Sequence, residues 1–247
     1  MATTTVFFYA SEKAAALLKI SVVLTEDADA DPPRHPSKSP TEAEKCRERD
    51  RKCVLSGAAR PHVCRIFPFI LTKRCTHLED TLWPVIRTFW GKEYADHIQV
   101  FLVHNPHIID SAQNMICLSP LLQQWWRKAY FALEPYKKLP DGVRVRFRWL
   151  KRTTFTVNDK LETLAIDPRD CLVWHQEEGV IAMKDLVSGH PLLDGTLFDL
   201  TSDDPQKQVS FGLLQLQWDI LRIAALSGAV EAVEDPSWNP DDDGLSE

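Results

Sequence analysis

Residues 143–150 read Val-Arg-Val-Arg-Phe-Arg-Trp-Leu, the most strictly patterned stretch of the chain. Val143, Val145, Phe147 and Trp149 recur at every second position, with Arg144, Arg146 and Arg148 between them. A strand sends alternate side chains to opposite faces, so this period predicts a half-buried strand with three arginines in water. Such a strand needs an apolar layer beneath it. At 247 residues and 44% hydrophobic positions, the chain has material for one large domain or two small ones.

The other elements are marked by shorter signals. Two strand-like runs fall at 6–9 and 20–24, inside an N-terminal segment taken as 1–25. Residues 26–45 are acidic and proline-rich with few apolar positions, the composition of a flexible linker. A basic lead-in at 46–52 meets an apolar run at 53–57 that ends in Gly57. A second apolar run follows at 61–69, so the two are expected to pair as antiparallel strands. Residues 78–98 are expected to be helical at least in part. Residues 114–118 lead into Ser119-Pro120, where serine suits a helix cap and proline its first turn, predicting a helix over 121–130. Apolar residues at 211, 214, 218, 221 and 225 form a helical stripe, and an acidic tail at 231–247 is expected to be disordered.

Several classes are excluded or disfavoured. No run approaches ~18 consecutive apolar residues, so no membrane-spanning helix is expected. The early run 14–18 stops at Lys19 with no basic segment before it, which disfavours a secretory signal. Nine glycines rule out a collagen-like repeat. The six cysteines include no Cys-x-x-Cys pair, so a structural zinc site is poorly supported and reduced, buried thiols are expected. With no Asn-x-Ser/Thr acceptor, these features fit an intracellular protein of the cytoplasm or nucleus.

The net charge of −6 conceals an asymmetry. Residues 46–153 carry 19 Lys+Arg against 9 Asp+Glu, whereas the remainder carries 10 against 26. A basic block inside an acidic chain is the footprint of an anion-binding face. The competing account is a solvated surface whose cations pair with the chain's own acids.

The order strand, strand, helix within a basic surround is the layout of a ββα-metal nuclease core. Cys53-Val54-Leu55-Ser56-Gly57, then Val63-Cys64-Arg65-Ile66-Phe67-Pro68-Phe69, resemble the start of the fungal HNH-nuclease-like family. Asn114-Met115-Ile116-Cys117-Leu118-Ser119-Pro120, Trp125-Trp126 and Val145-Arg146-Phe147-Arg148-Trp149 extend the likeness. It continues through 201–205, 213–218 and 227–229. The resemblance implies an α+β fold: an HNH-like core with insertion and basic strand over 46–153, further strands, and a C-terminal helix within an extension over 154–230.

It also implies metal-dependent cleavage of a phosphodiester, with one histidine as general base, an asparagine holding it and a second histidine on the metal. Carried over by position, these fall on Arg65, Asn114 and Gln123. Arginine has no acceptor and stays protonated, so Arg65 cannot serve as a base. Gln123 supplies one neutral amide oxygen, a poor anchor for a divalent ion. The expectation is therefore a catalytically impaired nuclease fold that holds phosphate or nucleic acid, with Arg65, Arg127, Arg144, Arg146 and Arg148 as phosphate contacts. Trp125 and Trp126 are candidates for base stacking or, more simply, core.

Two alternatives stay open. One is an active Mg²⁺ or Mn²⁺ endonuclease rescued by other residues, with His77, His97, His104 and His107 in the insertion as donors. His62, three positions before Arg65, is expected to point to the other strand face. The second is a scaffold recast as a small-molecule biosynthetic enzyme, with Asp203, Asp204 and His175 as acid/base groups, although Asp203-Asp204-Pro205 also suits a turn.

Overall fold

The computed structural model describes residues 41–67, 83–153, 172–173 and 183–226. The strands expected at 6–9 and 20–24, most of the 26–45 linker and the acidic tail lie outside these residues. The first element is helix α1, Glu42–Asp50. Thr41 caps it: its hydroxyl accepts from the Glu44 N–H, while the Glu44 carboxylate accepts from the Thr41 N–H at 2.7 Å. This reciprocal cap satisfies two backbone donors, and it converts the end of the expected linker and the basic lead-in into helix.

Strand β1 (His62–Arg65) pairs antiparallel with β2 (Met115–Leu118), bringing Arg65 opposite Met115 and His62 opposite Leu118. The expected partner of β1, residues 53–57, is instead a closed turn. Gly57 N–H donates to the Cys53 carbonyl and Cys53 N–H to the Ala58 carbonyl, with Gly57 at φ 66°. The turn still touches β2, where the Val54 N–H donates to the Cys117 carbonyl at 2.9 Å, but folded back on itself it forms no ladder with β1.

Between the two strands run α2 (Trp83–Trp90) and α3 (Lys92–His104), separated at Gly91 with φ 86°. After β2 comes α4, Pro120–Arg127. Ser119 accepts from the Leu122 N–H and Pro120 occupies the first turn, so the predicted start is right. The helix ends three residues earlier than expected. The ββα order is thus β1, β2, α4.

The alternating segment forms β4 (Gly142–Trp149), the centre of an antiparallel sheet with β3 (Phe131–Leu139) and β7 (Leu197–Thr201) on its two sides. Val143, Val145, Phe147 and Trp149 are buried and the three arginines are half-buried, so the predicted period holds. Strands β5 (Arg152–Thr153) and β6 (Leu172–Val173) form a short separate pair. Helix α5 (Phe211–Leu226) packs on β3. Phe131 stacks on Phe147 at 4.8 Å, and Phe147 meets Trp149 edge-on at 4.9 Å, at the heart of the core. Each large buried side chain of this kind contributes about 1.5–3 kcal/mol. The architecture is α+β, with a strand–strand–helix unit against a three-stranded sheet and a C-terminal helix.

Candidate functional site

The β1–β2 hairpin has two faces. Cys64, Ile116 and Leu118 join the main core with Leu122, Trp125 and Trp126 of α4. Val63, Met115 and Cys117 form a second cluster with Ala43 and Cys46 of α1. Strand alternation assigns His62 to the α4 face with Cys64, and Arg65 to the α1 face with Val63 and Met115.

Asn114, at the entry to β2, is fully buried and satisfied. Its Oδ1 accepts from the Phe67 N–H at 2.7 Å, and its Nδ2 donates to the Phe67 carbonyl at 2.6 Å and the Ile109 carbonyl at 2.8 Å. The amide thereby fastens the chain just past β1 to the short helical turns at Pro106–Asp110 and Ala112–Asn114. Arg65 reaches the same place: its Nη1 donates to the Ile109 carbonyl at 3.2 Å and lies 3.5 Å from an Asp110 carboxylate oxygen. The position expected of a general base is thus held by a cation tied to backbone and carboxylate.

On the other face, Gln123 meets His62, with Oε1 2.8 Å from the imidazole Nδ1. The expectation that His62 points away from Arg65 fits the strand period, yet it is His62, not Arg65, that accompanies the helix position carried over from the metal histidine. Of the other histidines, His97, His104 and His107 are exposed, and His104 Nδ1 contacts the Val100 carbonyl at 2.8 Å. His77 and His175 lie outside the described residues.

A divalent ion fits this arrangement poorly. Gln123 Oε1 already faces an imidazole, and among the described residues the one group of three metal-type ligands lies elsewhere, at Cys46, Asp50 and Cys117. That group already holds a cation. Arg49 Nε and Nη2 donate to the two Asp50 oxygens at 2.5 and 2.9 Å, and Nη2 lies 3.4 Å from Cys46 Sγ. Cys117 N–H also donates to Asp50 at 2.7 Å. Arg49 further donates to the carbonyls of Ala112, Met115 and Lys207, at 3.1, 2.6 and 2.6 Å. Burial alone would lower the Arg49 pKa, but the bond and charge of Asp50 raise it on balance. The cluster locks α1 onto the hairpin.

The arginines of β4 are engaged as well. Arg144 makes a two-pronged pair with Asp199 at 2.6 and 2.7 Å. Arg146 lies over the Tyr136 ring at 4.2 Å and 3.5 Å from Glu134, while Arg148 pairs with Asp194 at 2.9 Å. Sequence distance hid these acids: Asp194 and Asp199 arrive only with the return of the chain into β7. Arg127 occupies the last turn of α4. Trp125 and Trp126 are 8% and 4% exposed and pack against Trp149 and Phe131, so they fill core and do not present a stacking platform. Asp204 accepts from the Gln206 N–H at 2.9 Å, the geometry of a turn.

One group of exposed cations lies at the neck of the 53–58 turn, a signal present in the sequence only as part of a longer basic run; Lys137 and Lys138 of β3 are exposed as well. Arg51, Lys52 and Arg60 are solvent-exposed, and Arg51 and Arg60 have φ of 57° and 53°. Among the described residues no helix is long and apolar enough to cross a membrane.

No curated protein and no solved structure matches the chain. A family model described as HNH endonuclease matches residues 53–134, which run from the turn before β1 through α4 into β3. The strand–strand–helix geometry and this match together identify residues 53–134 as an HNH-nuclease-like segment and support an HNH-like family for the protein.

Proposed function

We propose that the protein is a catalytically impaired HNH-fold module that binds nucleic acid without cutting it. The observation that carries this reading is the pair of substitutions as they sit in the fold. Arg65 donates to Ile109 and faces Asp110, and Gln123 spends its amide oxygen on His62. Neither residue can perform the task implied for it: a guanidinium takes no proton, and one amide oxygen does not hold a divalent ion. Loss of the base alone lowers such a rate by about 10²–10⁴.

Purified protein with Mg²⁺ or Mn²⁺ is expected to leave supercoiled plasmid and single-stranded DNA intact while retarding a DNA duplex at low salt. Plasmid nicking at a rate proportional to protein and lost in Asn114→Ala would defeat the impaired reading. Absence of any duplex binding at low salt would defeat the nucleic-acid reading.

One observation favours a second reading, a nuclease that has moved its base. Gln123 Oε1 beside His62 Nδ1 selects the tautomer with the proton on Nδ1, leaving a lone pair on Nε2 of an exposed imidazole. If His62 serves as base, nicking is present in the natural chain and disappears in His62→Ala.

A further inference from the structure

The cations of the basic block at 46–153 have unlike fates in the fold. On β4 each arginine has a carboxylate of the chain within 4 Å, so an arriving phosphate must displace Asp199, Glu134 or Asp194. Nearer the N-terminal end of the block, Arg49 is buried against Asp50 and Arg65 faces Asp110. Arg51, Lys52 and Arg60 differ. All three side chains are exposed, and no carboxylate among the described residues pairs with them.

Their placement is set by the backbone. The Cys53 N–H bond to the Ala58 carbonyl at 2.9 Å closes the turn, so Lys52 and Ala59 flank its neck and Arg51 and Arg60 follow outward. Arg51 ends α1 at φ 57°, ψ −34°, where a glycine is the usual residue. Arg60 has φ 53°. Of the three non-glycine residues with positive φ among those described, two are therefore arginines at the two ends of one turn. Strain of this kind persists where a side chain's position is worth more than backbone comfort.

Resting on the nucleic-acid reading above, we propose that Arg51, Lys52 and Arg60 form the surface that docks the phosphate backbone of duplex DNA. The surface continues into exposed His62 and its partner Gln123, so a bound strand runs past the altered helix position of the ββα unit. Residues 53–59, between the cations, read Cys-Val-Leu-Ser-Gly-Ala-Ala and carry no aromatic ring to stack an unpaired base. Contact is thus to phosphates, and a duplex, with its higher charge density, is favoured over a single strand.

The test is anisotropy of a labelled mixed-sequence DNA duplex titrated with the full chain at several salt concentrations. In the variant Arg51→Gln/Lys52→Gln/Arg60→Gln, the slope of log affinity against log salt is expected to flatten by about 0.9 per lost contact, about 2.7 in all. A second variant, Arg51→Gly/Arg60→Gly, relieves the positive φ, so its thermal midpoint is expected at or above that of the natural chain while its duplex affinity falls. A slope unchanged by both variants, or one that flattens instead in Arg144→Gln/Arg148→Gln, overturns this docking surface and leaves the nucleic-acid reading intact. Tighter binding to a single strand than to the duplex overturns the choice of partner. If the natural chain binds no duplex at low salt, the nucleic-acid reading fails and this surface with it.

Discussion

The Asn114 side chain holds Phe67 by both of its backbone polar groups, accepting from its N–H and donating to its carbonyl. The amide therefore acts as a surrogate strand residue, completing the ladder where β1 stops. The Ile66 N–H, bonded to the Asn114 carbonyl at 2.8 Å, continues the same run. Asn114→Ala strands the buried Phe67 N–H and removes the donor to the Phe67 carbonyl, while the Ile109 carbonyl keeps only Arg65. An unsatisfied buried group costs about 1–3 kcal/mol, so the variant is expected to lose about 3 kcal/mol in urea unfolding. A loss below about 1 kcal/mol, comparable to one ordinary hydrogen bond, would show that the loop is held by other contacts.

Arg49 and Asp50 form a deeply buried ion pair, with side chains 2% and 5% exposed. Removing one partner leaves a buried charge uncompensated, at a cost of about 3–5 kcal/mol. Arg49→Ala is expected to unfold at markedly lower urea concentration. The double variant Arg49→Ala/Asp50→Ala should recover part of that loss, because the orphan carboxylate is gone.

Acid stability should report the sheet. The hydrogen bond from Arg144 holds the Asp199 carboxyl below its ordinary range, and the Ser188 hydroxyl does the same for Asp185. A depressed carboxyl pKa gives stability that is complete above the unfolded value of about 3.9 and lost as pH falls through the folded one. Thermal midpoints are therefore expected to fall below about pH 4, with a shallower fall in Asp199→Asn than in the natural chain. Asp199 is exposed and Asp185 half-exposed, so the difference is small, and equal slopes would assign the acid transition to other groups.

Cys46 and Cys117 place their sulfurs 3.8 Å apart in a buried cluster. The bond to Cys117 and then burial push the Cys46 thiol well above its ordinary range, which leaves almost no thiolate at neutral pH. Native protein treated with iodoacetamide is expected to retain both thiols by mass spectrometry, with full alkylation only after denaturation. Rapid native labelling would show that α1 lifts from the hairpin.

What could be read from residue order depended on how local the cause was. The Val143–Trp149 alternation and the Ser119-Pro120 helix start rest on neighbouring residues, and both stand in the fold. Thr41 and Glu44 carried an equally local signal for α1, obscured by the prolines and acids before them. Cys53–Gly57 misled because a short apolar run looks alike in a strand and in a buried turn, and only the Gly57 backbone distinguishes them. The β4 arginines misled for the opposite reason. Their partners Asp194 and Asp199 are set by the return of β7, a long-range event that no local pattern announces. At the site, Asn114 stands at the entry to β2, while nothing in residue order announces the company of Gln123. The one-position offset that separates strand faces put His62 beside it.

The carboxylates alongside Arg144, Arg146 and Arg148 also shape what the molecule looks like from afar. An ion pair is a dipole, and its field fades within the screening distance of about 8 Å in physiological salt. A distant polyanion therefore senses the β4 arginines as nearly neutral, and senses instead the bare charges at residues 51, 52 and 60 and at Lys137 and Lys138 of β3. Approach would be oriented by these bare charges before the first contact forms.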